Sequence, residues 1–288
     1  MSIGKGVGSR GAGEAGGEKR TGGENEFNIF MLSCSYNRHS FKAMNRKVEV
    51  LPDQAALVAR ALELALPKLQ TATQERGRCT IVLAGGSTPK PLYEAIATHQ
   101  LPWDKIHVFW GDERYVPPDH PDSNEGMVRH AWLDRVDFPA ANIHPMPTNE
   151  PDPAVAAHKY EEELREFFQV PAGEFPAFDL VLLGMGDDGH TASLFPHTEA
   201  LNIRDRLITV GSKNAQPRLT FTVPLINQAH CVMFLVAGAN KRSALEHVFA
   251  PVADDLTYPA RLIQPQGELW WLLDQAAGQD LKPEMTAQ

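Results

Sequence analysis

The residues best equipped for chemistry lie between Asp179 and Phe195, which read DLVLLGMGDDGHTASLF. Gly184-Met185-Gly186-Asp187-Asp188-Gly189 has the spacing G-x-G-x-x-G after an apolar run, the pattern of a dinucleotide loop. The side chains are wrong for that ligand. A pyrophosphate on these amides would meet the carboxylates of Asp187 and Asp188. The next strand, LITV, ends in Gly211-Ser212-Lys213 and lacks the acid that holds a ribose. His190 suggests different chemistry. Read as opening the helix that follows, its imidazole is kept neutral by the helix dipole, the form a general base needs. Asp188, two residues earlier, can orient it or hold substrate. A structural histidine capping a strand–helix turn is the other reading of this spacing. Asp188, His190 and His197 lack the H-E-x-x-H or H-x-x-x-H spacing of a helical metal site, so no metal is expected.

Three further polar clusters follow apolar runs directly. Gly85-Gly86-Ser87-Thr88-Pro89 offers glycine-turn amides, two hydroxyls and a helix start, a site for an anion or sugar hydroxyls. It has no P-loop lysine, and a plain β–α turn would read the same way. Asp112-Glu113-Arg114 places a guanidinium suited to bidentate phosphate contact beside two acids, which could equally be its ion-pair partners. Lys241 follows Asn240, read as the cap of a helix to about Phe249. A cation in a first turn opposes the helix dipole, unless an anion lies between. Arg218 and Lys213 lie near another strand end and rank below these.

These clusters need a scaffold that brings them together. CTIVLAG (79–85), KIHVFWG (105–111), FDLVLLG (178–184), RLITVGS (206–212), RLTFTV (218–223), HCVMFLVAG (230–238) and ELWWLLD (268–274) read as strands. Asp53 can cap a helix to about Ala72 that Pro67 kinks or breaks. Pro89 suits the first turn of the next helix, and Ser123 can cap one to about Leu133. Residues 153–169 form an acidic amphipathic helix. Apolar strands alternating with helices give an α/β fold: an open, mostly parallel, Rossmann-like sheet with helices on both faces. Ligands bind such sheets at the carboxyl ends of the strands, where all four clusters fall.

The chain has 288 residues and a net charge of −9, a poor footprint for nucleic acid. No apolar stretch is long enough to span a membrane. Cys34, Cys79 and Cys231 are odd in number and widely spaced, which points to free thiols in a reducing, cytoplasmic setting. Nine of the 22 glycines fall by Gly23, so residues 1–43 read as a disordered extension without a secretory h-region. Residues 44–288, starting at Met44, read as a single domain. The sequence leaves the oligomeric state open.

Taken jointly, LAGGSTPKPLY, FWGDERYVPPDHPDSNEGM, FDLVLLGMGDDGHTASLFPHT, RLTFTVPLIN and LVAGANKRSAL resemble the 6-phosphogluconolactonase family, in family order from about residue 46 to 275. The resemblance implies hydrolysis of 6-phospho-D-glucono-1,5-lactone, the second step of the oxidative pentose phosphate pathway, with no metal and no organic cofactor. It makes His190 the catalytic base beside Asp188, and Arg114 and Lys241 phosphate ligands. Ser87 and Thr88 would line the site, with Gly85, Gly86, Asp112, Gly189 and Arg218 as further substrate contacts. Two rivals are a glucosamine-6-phosphate deaminase and a non-catalytic sugar-phosphate sensor. The first would carry a glutamate after the histidine, where Leu194-Phe195-Pro196-His197 stands. The second would need a DNA-binding helix-turn-helix, which the glycine-rich tail cannot form.

Overall fold

The computed structural model describes residues 46–282. The expectations for the 1–43 extension, Met44 and Cys34 lie outside the described residues. The first described element is a strand, β1 (Arg46–Leu51), which is not among the strands read from sequence. Helix α1 (Gln54–Glu75) follows, and the Asp53 carboxylate accepts from the Ala56 N–H at 2.8 Å. Pro67 does not break α1: the helix runs eight residues beyond it. Pro67 and Glu63, whose carbonyl loses its partner, are both exposed, so water can replace that bond. Leu57, Ala61, Ala65, Leu69 and Ala72 form a buried stripe that carries the helix across the interruption. Asp53→Ala is expected to cost about 1 kcal/mol, read as a lower urea midpoint with unchanged slope.

Strand β2 (Cys79–Leu83) leads to α2 (Lys90–Ile96), then β3 (Ile106–Trp110), β4 (Asp112–Arg114) and α3 (Asn124–Ala131). The Ser123 hydroxyl caps α3 by accepting from the Gly126 N–H at 3.1 Å. Short β5 (Ile143–His144), α4 (Pro153–Phe168) and β6 (Leu180–Leu183) follow. The hairpin β7 (Ile208–Lys213) and β8 (Gln216–Phe221) precedes α5 (Val223–Asn227) and β9 (Cys231–Val236). Helix α6 (Arg242–Phe249), β10 (Glu268–Asp274) and α7 (Gln275–Gly278) complete the order.

Seven strands form a parallel sheet in the order β1-β10-β9-β6-β2-β3-β5. The chain lays β3 and β5 on one side of β2, then returns to place β6 on the other. The strand order therefore reverses between β2 and β6, where open α/β sheets bind ligands. Strands β2, β6 and β9 are buried at every position, which is why they read as unbroken apolar runs. Helix α1 packs across β2, β6 and β10, and α4 lies on β7 and β8. No described helix is long and apolar enough to cross a membrane. Cys79 and Cys231 are free and buried, and burial pushes the Cys231 thiol up to about 12, which leaves it inert.

The hairpin departs from a single sheet. Strands β4, β8 and β7 make a separate antiparallel sheet. Only Asn214 and Ala215 join β7 to β8, at φ 53° and 61°, and a two-residue turn with both φ positive joins antiparallel strands alone.

Candidate active site

A cavity of about 480 Å³ opens where β3, β2, β6 and β9 end, and all four polar clusters reach it. The glycine turn after β2 is shaped from behind. The Tyr93 hydroxyl accepts from the Ala84 N–H at 3.0 Å and donates to the Ala84 carbonyl at 2.8 Å. Gly86 sits at φ 96°, a conformation other residues rarely adopt. Ser87 and Thr88 line the cavity, as expected.

After β3 the cluster itself becomes strand β4. Asp112 is buried, and its Oδ2 accepts from the Ser193 hydroxyl at 2.7 Å. The Glu113 carboxylate turns away from the cavity and caps α3, accepting from the N–H groups of Asn124 and Glu125 at 2.8 and 2.7 Å. Burial pushes its carboxyl up to about 7, against the pull of those bonds and the Arg114 N–H. Arg114 therefore has no carboxylate partner among the described residues. Its guanidinium donates to the Asp122 carbonyl and lines the cavity, so it is not the ion-pair partner of Asp112 or Glu113. Across the β4–β8 ladder Arg114 stands opposite Arg218, whose guanidinium is lowered by burial and then by Arg114. Two guanidiniums on facing ladder positions make this side of the cavity strongly positive.

After β6 the loop is built around His190, which does not open a helix. Residues 190–198 are turns with one bridge, Thr191 to Leu194. The helix-dipole argument for a neutral imidazole therefore falls. A hydrogen bond fixes the orientation and tautomer of the ring instead: Asp188 Oδ1 contacts His190 Nδ1 directly and also accepts from the His190 N–H at 3.1 Å. Burial opposes ionisation of Asp188. The bonds and charge from His190, with Lys213, outweigh it and hold the carboxyl well below the usual carboxylate range. An ionised Asp188 accepts a hydrogen bond from Nδ1–H, which in the neutral imidazole leaves Nε2 as the acceptor. His190 lines the cavity, whereas Asp188 and Gly189 do not, so Asp188 acts on His190 from behind. Gly189, at φ 80°, turns the chain under Tyr258 and accepts from the Ala260 N–H at 2.9 Å. His197 contacts Thr257 instead of the pair, and no metal-holding group of acids, thiols and imidazoles occurs among the described residues.

After β9, Gly238 (φ 102°) donates to the Asp274 carboxylate at 3.0 Å and sets a 3₁₀ turn, Ala239–Lys241. The Asn240 side chain does not cap α6, which begins at Arg242 with no side-chain cap. Lys241 still stands at the helix start and lines the cavity, with no carboxylate partner among the described residues.

Two contributors are not singled out from sequence, Asn124 and Phe195, and a third, Lys213, is ranked low there. Asn124 lines the cavity, donates to the Asp112 carbonyl at 2.8 Å, and fills the space a Cβ on Gly85 would need. Lys213, ranked low above, reaches the cavity from the hairpin. Phe195 packs on the imidazole with ring centroids 4.6 Å apart. Only the Ser123 cap hinted at Asn124, by fixing where α3 begins.

Known proteins resemble this chain along most of its length. Residues 52–271 match the family described as glucosamine-6-phosphate isomerases/6-phosphogluconolactonase. A 6-phosphogluconolactonase from Nostoc is 71% identical over 238 residues, covering 83% of this chain and 99% of the relative. Another from Synechocystis is 65% identical over 240 residues, covering 83% and 100%. A solved 6-phosphogluconolactonase from Trypanosoma cruzi superposes with a TM-score of 0.75 at 28% identity, covering 82% and 97% of the two chains. The chain belongs to the glucosamine-6-phosphate isomerase/6-phosphogluconolactonase family.

Proposed function

We propose that this chain hydrolyses 6-phospho-D-glucono-1,5-lactone to 6-phospho-D-gluconate, using residues 44–288 as one domain and neither a metal nor an organic cofactor. The observation that carries the reading is one cavity lined by His190, which Asp188 holds from behind, and by four cations that pair with no carboxylate among the described residues. The pair supplies a base for water. The cations suit a substrate whose only fixed charge is a phosphate. The names of the relatives above support the same reaction.

The steps follow from the side chains. His190 Nε2 takes a proton from water as the water oxygen bonds to the lactone carbonyl carbon. The carbonyl π pair moves onto its oxygen. When that pair returns, the bond to the ring oxygen breaks, and His190 delivers its proton there. Asp188 holds the imidazole through both transfers. Arg114 and Lys241 bind the phosphate at the far end of the sugar, so binding energy remote from the carbonyl fixes the attack geometry.

Arg114→Ala is expected to raise KM about 10–100-fold with a smaller change in kcat, since a charge-assisted bond contributes about 1.5–3 kcal/mol. Steady-state kinetics on fresh lactone checks this. The family also contains isomerases acting on glucosamine 6-phosphate. Here buried Phe195 occupies the stretch after the histidine, with no carboxylate between Thr191 and Thr198. Incubation with each substrate decides: acid release from the lactone supports the proposal, and ammonia release from glucosamine 6-phosphate alone would overturn it. Activity on neither would favour a sensor.

A further inference from the structure

Arg114, Arg218, Lys213 and Lys241 all reach the cavity. The proposed reaction has two anionic centres to meet. One is the permanent phosphate; the other is the carbonyl oxygen, charged only while water attacks. The cations are not interchangeable between them, because their surroundings differ.

Lys213 belongs to the His190 end. Its Nζ lies 5.3 Å from the centre of the Phe195 ring, and the same ring packs on the His190 imidazole at 4.6 Å. Its charge also bears on Asp188, the carboxylate behind that imidazole. Arg218 also reaches Phe195, at 5.5 Å, but its charge is set against Arg114, its partner across the ladder. Lys241 stands apart, in the turn at the start of α6.

The hairpin holds Lys213 firmly to that end. A Cβ on Gly211 would fall 2.4 Å from the Ser193 carbonyl, so β7 lies against the backbone two residues before Phe195. The Ser193 N–H donates to Thr220 Oγ1 of β8 at 3.2 Å. Lys213 is the last residue of β7, opposite Gln216, and the tight turn beyond keeps Ala215 at φ 61°, where a Cβ is disfavoured. Among the described residues no carboxylate pairs with Lys213, so its charge is available.

We propose that Lys213 is a catalytic residue whose ammonium stabilises the oxyanion formed on the lactone carbonyl, leaving the phosphate to Arg114, Arg218 and Lys241. This rests on the lactonase reading. Lys213 exchanges no proton. It meets the electron pair that moves onto the carbonyl oxygen when the water–carbon bond forms, and loses that contact when the pair returns and the ring C–O bond breaks. Phe195 is the seat between base and cation. Its ring face attracts the ammonium while its packing fixes the imidazole.

The test compares the wild-type chain with Lys213→Gln and Lys213→Arg on fresh 6-phosphogluconolactone, with inorganic phosphate as a competing probe of the phosphate end. Lys213→Gln is expected to lose kcat roughly 10²-fold, the scale of removing one oxyanion donor. KM and inhibition by phosphate should hardly move, and Lys213→Arg should recover part of kcat. Thermal melting of each chain separates this from misfolding, and the arginine chain keeps the test decisive if the glutamine chain melts early. Unchanged kcat in Lys213→Gln would overturn the proposal. So would a loss carried by KM with weakened phosphate inhibition, which would make Lys213 a phosphate ligand. A wild-type chain inactive on the lactone would instead overturn the underlying lactonase reading.

Discussion

Replacing His190 by alanine is expected to lower kcat on 6-phosphogluconolactone by ~10²–10⁴-fold while changing KM little. Among the described residues, His190 alone pairs cavity access with a carboxylate that fixes its tautomer. His190 lines the cavity and Asp188 does not, so the imidazole, not the carboxylate, faces the space a substrate would fill. Substrate binding rests on the cations and on the turn after β2, none of which the alanine removes. Asp188→Asn is expected to give a smaller loss, because the imidazole stays in place but the Nδ1 proton is no longer enforced. Parallel kcat and KM measurements separate the roles. A chain lacking His190 that turns over like the wild type would remove it from the mechanism. A raised KM at constant kcat would make it a binding group.

Sequence and structure agree where burial and chemistry reinforce each other. Strands buried on both faces must be apolar throughout, so β2, β3, β6 and β9 stand out, and the polar residues after them mark the edge where a ligand sits. That reasoning found Ser87, Asp112, Arg114, His190 and Lys241 before any coordinates. It failed where a local pattern was weaker than its tertiary partner. Asp112-Glu113-Arg114 has no strand propensity, yet β8 supplies a ladder and makes it one. His190 reads as opening a helix after the strand. Ala192 and His197 instead take φ 47° and 57°, and Pro196 lies between them, so the segment folds as turns. Lys213 was ranked low because a strand end does not say which way a side chain leans. The two-residue turn, once recognised, places it over Phe195.

The second glycine of the G-x-G pattern carries the other large expectation. Gly186→Ala should lower kcat nearly as far as His190→Ala, ~10²–10⁴-fold. The reason is space, since the backbone there does not lie in the left-handed region. A Cβ on Gly186 would fall 2.0 Å from His190 Nδ1 and 2.5 Å from Asp188 Oδ1, so the pair must part. Both side chains border open space and can swing aside, so melting should suffer less than turnover. Gly184→Ala is the informative neighbour, because a Cβ there meets nothing within 4 Å and leaves the His190–Asp188 contact standing. A loop built to cradle a pyrophosphate would need backbone approach at both positions. A loop built to seat an imidazole on a carboxylate needs only the second. Measured side by side, a much larger loss of kcat in Gly186→Ala than in Gly184→Ala assigns the glycine to the imidazole. Equal losses would separate the spacing of these glycines from the chemistry of His190.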